Sequence, residues 1–202
     1  LNKNNLLITS ENVPVALAGI MGGFNSSVTK STTSLFIESA YFDPITIRKS
    51  AKSLFLSTEA SKRYERGVDP NGCLNAFYSV LALICDVTKG ELVSDIVDVY
   101  PEPITSKSVV LRRSEIDLVL GHHFIDDKIN QILKTLEINY LFENDTWLCT
   151  IPTFRPDIKR EIDIIEEVAR IAGFDSIPSD ENIYGTYNYQ MPDPDNILNK
   201  IR

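Results

Sequence analysis

Several residue types are scarce in this chain, and each scarcity removes a class of protein. Only three cysteines occur in 202 residues. Cys73, Cys85 and Cys149 are odd in number, widely spaced and set in apolar stretches, which fits buried reduced thiols in a cytoplasmic protein rather than a disulfide framework or a zinc site. No run approaches the roughly 18 apolar residues of a membrane span, and no secretory leader is visible. Net charge is −8, so the surface as a whole does not attract nucleic acid. An initiator Met is also missing. The chain opens at Leu1, and Ile197, Leu198 and Ile201 near its end resemble the first turns of a helix, so both ends read as boundaries within a longer protein.

What remains is ordinary for a globular protein, with 43% hydrophobic and 24% charged residues. The length suffices for one large domain or two small ones. The clearest boundary is Tyr100–Lys107, YPEPITSK, with two prolines between patterned regions. A second, Pro178–Pro194, has no helical or strand period. The expected division is therefore 1–100, a linker over 101–107, a module over 108–178, and a linker with the start of a following element over 179–202.

The first region mixes strands and helices. Leu6–Thr9, Val15–Ile20 and Leu35–Ser39 read as strands. Asp43-Pro44 opens a helix through Phe55, and Ser57 is positioned to cap a second that stops at Gly67. Asp69-Pro70 opens a third, with Leu74, Phe77, Tyr78, Leu81 and Cys85 on one stripe, running to Lys89-Gly90. In the second region Val109–Leu111 reads as a strand, and Ser114–Leu120 and Ile125–Leu136 as helices. Ile138–Phe142 and Trp147–Ile151 form a hairpin around Glu143-Asn144-Asp145. A last helix spans about Ile158 to Ala172. The fold class expected is α+β: a mixed α/β portion followed by a winged-helix-like module.

Two charge patterns stand out. Between Arg48 and Arg66, six basic residues (Arg48, Lys49, Lys52, Lys62, Arg63, Arg66) face two acidic ones, Glu59 and Glu65, a local +4 in an acidic protein. By itself this is a solvated helix face. On the last helix, Ile158, Ile162, Ile165, Ala169 and Ala172 form the expected core stripe, widened by Ile164, Val168 and Ile171. Asp163, Glu166 and Glu167 share the opposite face, and Asp157 stands at the N-terminal end, where it could cap the helix. Such carboxylates suit a hard divalent cation, a basic partner, or pairing with Lys159 and Arg170. On spacing alone solvation outweighs a cation by roughly three to one.

Three motifs alter these weights. Val15–Gly23 reads VALAGIMGG, Ser57–Pro70 reads STEASKRYERGVDP, and Pro152–Pro178 reads PTFRPDIKREIDIIEEVARIAGFDSIP. In this order and spacing they resemble the β-subunit family of bacterial phenylalanyl-tRNA synthetase. Residues 1–100 are similar to the latter part of the family's B3/B4 tRNA-editing domain, and 105–178 to its B5 domain. The resemblance implies hydrolysis of tyrosine wrongly attached to the phenylalanine tRNA. It assigns Gly22 to the backbone facing the misattached side chain and Glu38 to recognition of the tyrosine hydroxyl. Thr58 and Ala60 then line the pocket, with Thr58 near the ester and its water.

Physical reasons favour these types. Glycine admits close backbone approach, and a buried carboxylate left unpaired by phenylalanine discriminates by about 10⁴–10⁵. The basic stretch would hold the tRNA acceptor end. Alternatives remain open for each residue: a strand-ending turn at Gly22-Gly23, a helix start at Thr58, a core arginine against Glu38. The resemblance further implies magnesium at Asp157, Asp163, Glu166 and Glu167, shared with the α subunit of an α2β2 heterotetramer. It also implies ATP used by the holoenzyme but not bound by this segment, and a cytoplasmic protein without membrane or DNA partners. The family's pocket also uses a histidine, whereas His122 and His123 lie in the second module, so hydrolysis by this chain alone is not expected. The competing expectation is a non-catalytic nucleic-acid- or protein-binding winged-helix module. Against it, residues 108–178 lack a basic helix followed by an aromatic or glycine-rich wing. An RNA footprint on 48–66 but not on 108–178 separates the two.

Overall fold

Two three-stranded antiparallel sheets and six helices organise the part of the chain that the computed structural model describes, residues 1–178 and 200–201. The expected linker and helix start over 179–199 and at 202 lie outside the described residues. In the first module β1 (Leu7–Ser10) pairs with β2 (Val13–Leu17) across Glu11 and Asn12, whose φ values of 49° and 65° suit a two-residue hairpin turn. The strand expected over Val15–Ile20 is cut at Gly19, where φ of +63° turns the chain back. Met21–Gly22 return along β2 as β3.

Leu35–Ser39, expected as a strand, belongs to no sheet. A strand is a property of a pair, and none of the described strands is hydrogen-bonded to this segment. Phe36 is 98% exposed there.

Helix α1 (Pro44–Ser53) begins where Asp43 accepts from the Thr46 backbone N–H at 2.8 Å and Pro44 takes the first helical position. Its buried Ile47 and Ala51 pack on Ile20, with Leu17, Phe42, Leu56 and Tyr64 around them. Buried Ser50 accepts from the Asn5 side-chain amide at 2.8 Å, which satisfies its hydroxyl oxygen. The short α2 (Glu59–Tyr64) is capped by Thr58, one residue later than expected.

After a 3-10 turn at Pro70–Gly72, α3 (Cys73–Thr88) runs to Lys89, φ +58°. None of its residues is fully buried, and Leu74 and Tyr78, expected on the inner stripe, are exposed. Pro70–Thr88 meets the length and average hydropathy of a membrane-crossing helix (1.2), which a search for uninterrupted apolar runs does not reveal because Asn71, Asn75, Ser79 and Asp86 interrupt it.

The second module contains β4 (Lys107–Arg112), α4 (Arg113–Leu120), α5 (Asp126–Thr135), β5 (Asn139–Glu143), β6 (Thr146–Ile151) and α6 (Glu161–Ala172). The hairpin β5–β6 closes on Asn144 and Asp145, both at positive φ, and β4 adds to its other edge in the order β4-β6-β5. The helices cover one face of this sheet around Leu111, Ile116, Ile129, Leu133, Trp147 and Val168. Trp147 is fully buried. Its indole N–H donates to Asn130 Oδ1 at 2.8 Å, and the Arg113 guanidinium lies 5.1 Å from its ring centre. Truncating such a residue costs about 3–5 kcal/mol.

Helix α6 starts at Glu161, later than the expected Ile158, because Pro152–Arg160 form a loop. Ile158 is buried from that loop, so the spacing from Ile158 to Ile162 is not a helical one. The true inner stripe is Ile164, Ile165, Val168 and Ala169, while Ile162 is 42% exposed.

The loop Pro152–Arg160 also meets the first module. Thr153 Oγ1 donates to Asp69 Oδ1 at 2.6 Å, and the Asn71 amide donates to Thr153 Oγ1 and to the Ile104 carbonyl, each at 3.2 Å. Gly67, at φ +95°, lets Pro156 approach so closely that a Cβ would stand 2.9 Å from its Cγ. Replacing Gly67 by Ala therefore combines backbone strain with a clash. Thr153→Val removes a hydrogen bond to a carboxylate, for which the expected loss is about 1–2 kcal/mol. Amide exchange should accelerate at 67–72 and 152–157 in both variants, while the Trp147 core stays protected. Unchanged exchange at both segments would mean that the modules do not depend on this contact.

Candidate functional site: a recognition pocket, a basic face and an acidic face

The four pocket residues named from the sequence fall into two groups. Thr58 lies at the start of α2, and its hydroxyl is fully engaged: it donates to the Ile20 carbonyl at 2.7 Å and accepts from the Ser61 N–H at 3.0 Å. Ser61 Oγ in turn accepts from the Thr58 N–H at 3.0 Å, completing a reciprocal cap. The cap ties α2 to the turn leading into β3, which sets Thr58 beside the strand carrying Gly22. Ala60 is exposed in the first turn of α2. A Cβ at Gly22 would meet nothing within 4 Å, so no side chain of this protein requires glycine there. At Gly23 the requirement is internal: a Cβ would stand 2.4 Å from the Val15 carbonyl oxygen, which accepts the Gly23 N–H at 2.8 Å.

Glu38 stands apart from these three. It lines a cavity of about 280 Å³ between the 35–39 segment, α3 and residues 92–98, and Gly22, Thr58 and Ala60 are absent from that lining. Burial pushes its carboxyl above the ordinary carboxylate range. Among the described residues no cation pairs with it, so the core-arginine alternative is not realised. Its charge is felt at Tyr64, whose phenol is pushed up first by burial and then by the Glu38 charge. Tyr64 packs 5.2 Å from Phe42, ring to ring, against the Ile20–Ile47–Ala51 cluster. Chemically, a half-desolvated carboxylate can accept a hydrogen bond from a phenol. Neither Glu38 nor Thr58 is hydrogen-bonded to a base that would activate a nucleophile.

The basic residues are spread over α1, α2 and the turn after α2. Arg48, Lys49, Lys52, Lys62, Arg63 and Arg66 are all exposed. Only Lys62 forms an ion pair among the described residues, with Glu59 at 3.1 Å. The other five charges are therefore available to an external anion.

On the acidic face, arginines have taken the carboxylates. Arg155 reaches Asp157 at 2.7 Å and Glu167 at 3.0 Å, and Arg170 reaches Glu167 at 2.5 Å. Asp163 accepts from the backbone N–H groups of Lys159 and Arg160 at 2.9 and 2.8 Å, and from the Arg160 guanidinium at 3.0 Å. These bonds hold all three acids low: Glu167 chiefly through Arg170, Asp157 through Arg155, Asp163 through Arg160. Glu166 alone is exposed without a partner among the described residues. Asp157 does not cap α6; Asp163 reaches back to do so.

The four carboxylates do not converge on one cation position, and among the described residues no group of three or more His, Cys, Asp or Glu side chains is arranged to hold a metal. As placed, they do not fit a magnesium ion. Sequence reasoning named Lys159 and Arg170 as internal partners and missed Arg155. The signal for it was the Arg-Pro-Asp run, since a guanidinium two residues before a carboxylate in a turn can fold back onto it. The histidines play structural parts: His123 Nδ1 lies 2.8 Å from Asp117, and His122 stacks edge-on against Phe124. All three cysteines are free, and burial pushes the Cys149 thiol up to about 12.

The comparisons agree with this division into two modules. Residues 1–89 match the model of the B3/4 domain, and 109–174 that of the tRNA synthetase B5 domain. A phenylalanine–tRNA ligase β subunit of Salinibacter ruber is 43% identical over 183 residues, 91% of this chain and 22% of the relative. That of Protochlamydia amoebophila is 39% identical over 194 residues, 96% of this chain and 24% of the relative. The same subunit of Halalkalibacterium halodurans is 38% identical over the full 202 residues, 25% of its own length. The chain thus spans about a quarter of the length of the relatives it matches. Two domain models in sequence, and relatives alike across both domains and the junction between them, show that this chain belongs to the family of phenylalanine–tRNA ligase β subunits.

Proposed function

We propose that this chain supplies the β subunit's post-transfer editing pocket, in which tyrosine misattached to tRNA(Phe) is recognised and hydrolysed, together with a B5 scaffold that faces the α subunit. The observation that carries the reading is Glu38: a carboxylate that lines a cavity while staying exposed to solvent, shifted upward by partial desolvation, and unpaired with any cation among the described residues. Such a group gains a hydrogen bond from a tyrosyl hydroxyl and none from phenylalanine, and a bound phenylalanyl ring that displaced its water would leave it unpaired at a cost. Open space at Gly22 and the exposure of Ala60 leave room for a ring on the Thr58 side. Thr58 acts here as a positioning residue, because its hydroxyl proton is committed to Ile20. The five unpaired cations of the α1–α2 face suit the acceptor end of the tRNA. In this reading the whole assembly is an α2β2 tetramer in the cytoplasm, and ATP belongs to its aminoacylation site rather than to this chain.

Deacylation of tyrosyl-tRNA(Phe) by the full-length β subunit assembled with α tests the pocket. Ala60→Trp should abolish hydrolysis while phenylalanylation survives, and Glu38→Ala should narrow the gap between tyrosyl and phenylalanyl substrates by about 10-fold or more. Discrimination should also fall with acidity. Recognition needs the ionised carboxylate, so selectivity is present at neutral pH and is lost as pH drops through a Glu38 pKa above the ordinary 4.5. Normal deacylation by both variants would leave only a shared scaffold and favour the binding-module reading.

Magnesium at Asp157, Asp163, Glu166 and Glu167 needs a different carboxylate arrangement, with ligands from the α subunit replacing the arginine bonds. Calorimetric titration of magnesium into this chain alone should show no binding below about millimolar. Micromolar affinity would contradict this.

A further inference from the structure

The loop that joins the modules also forms one wall of a cleft of about 410 Å³ between them. Its ionisable lining comes from both modules: Asp43, Glu65 and Arg66 from the first, Lys107, Arg155 and Lys159 from the second. Two of these groups are already engaged, although Asp43 keeps its negative charge. Asp43 caps α1 through the Thr46 N–H and hydroxyl at 2.8 and 2.7 Å, and Arg155 is held by Asp157 and Glu167. Arg66, Lys107 and Lys159 are exposed and make no ion pair among the described residues, leaving three unpaired cations against the carboxylates of Asp43 and Glu65, a local excess of one positive charge. In a chain of net charge −8, that is a local inversion of sign.

The three cations sit on separate stretches: the turn after α2, the first residue of β4, and the loop before α6. Arg66 is also the last member of the basic stretch, so the cleft and that stretch share a cation. Several cations on separate stretches, one of them shared with the basic helices, suit a chain of phosphates better than a single small anion.

We infer that the cleft between the modules is a second phosphodiester-binding stretch for the RNA held on the α1–α2 face, with Arg66, Lys107 and Lys159 as its contacts. The inference rests on the RNA reading of that face and extends it into the second module, which the charge pattern of the sequence had left outside the RNA surface. The Thr153–Asp69 hydrogen bond at the junction then keeps the two halves of the track in register.

The test uses the full-length β subunit assembled with α and measures tRNA(Phe) affinity across a salt series. Lys107→Gln with Lys159→Gln should weaken binding about 10-fold at low salt and reduce the slope of log K against log salt by about 0.7–0.9 for each phosphate that is no longer neutralised. Lys128→Gln, an exposed lysine on α5, should change neither, and unaltered thermal melts should exclude misfolding. If Arg48→Gln with Lys52→Gln weakens binding but the cleft pair does not, the cleft inference falls and the basic-face reading stands. If neither pair has an effect, both fall. Normal tRNA affinity with impaired assembly of the subunits would make the cleft a protein-docking surface and overturn the inference.

Discussion

The guanidinium of Arg155 holds the loop on which the arrangement of the two modules depends. It is drawn toward α6 by Glu167 and back onto its own loop by Asp157, at 3.0 and 2.7 Å. That loop delivers Thr153 to Asp69 and Pro156 to Gly67. The value of Arg155 is therefore geometric more than energetic. Exposed ion pairs contribute little, but Glu167 and Arg155 are largely enclosed, and a planar guanidinium with several donors fixes direction as well as distance.

The same geometry explains why an acidic helix face need not be a metal site. Repulsion between neighbouring carboxylates on one helix has to be offset by something, and here arginines and backbone N–H groups do it. Their bonds hold Asp157, Asp163 and Glu167 below the ordinary carboxylate range, so this network is intact at neutral pH and loosens only in acid. Glu38 stands at the opposite extreme, with its carboxyl raised by burial and no cation among the described residues to compensate. Three acids are thus stabilised by partners within this chain, whereas Glu38 has none among the described residues.

Local signals in the sequence proved legible. Asp43-Pro44 and Asp69-Pro70 start their helical segments, Gly121 and Gly173 follow the ends of α4 and α6, and Asn144-Asp145 make the hairpin turn, because each depends on a few adjacent residues. What depended on distant partners was not legible. Leu35–Ser39 has strand composition but nothing to pair with among the described strands. Ile158 kept its burial while losing its place in the helix, which moved the inner stripe from Ile162 to Ile164. The motifs located the candidate site without its internal geometry. Glu38 lines a cavity from which Thr58, Gly22 and Ala60 are absent, a separation that no local motif encodes because it depends on how α3 and residues 92–98 pack.

Recognition of a phenolic hydroxyl by Glu38 underlies the proposed function. The most direct measurement is the affinity of the assembled subunits for two non-hydrolysable 3′-aminoacyl-adenosine amides, one tyrosyl and one phenylalanyl, with wild type and Glu38→Gln. The account predicts that wild type binds the tyrosyl compound at least about 100-fold more tightly, and that most of this preference disappears in Glu38→Gln. Equal affinities in wild type, or a preference untouched by the substitution, would contradict it.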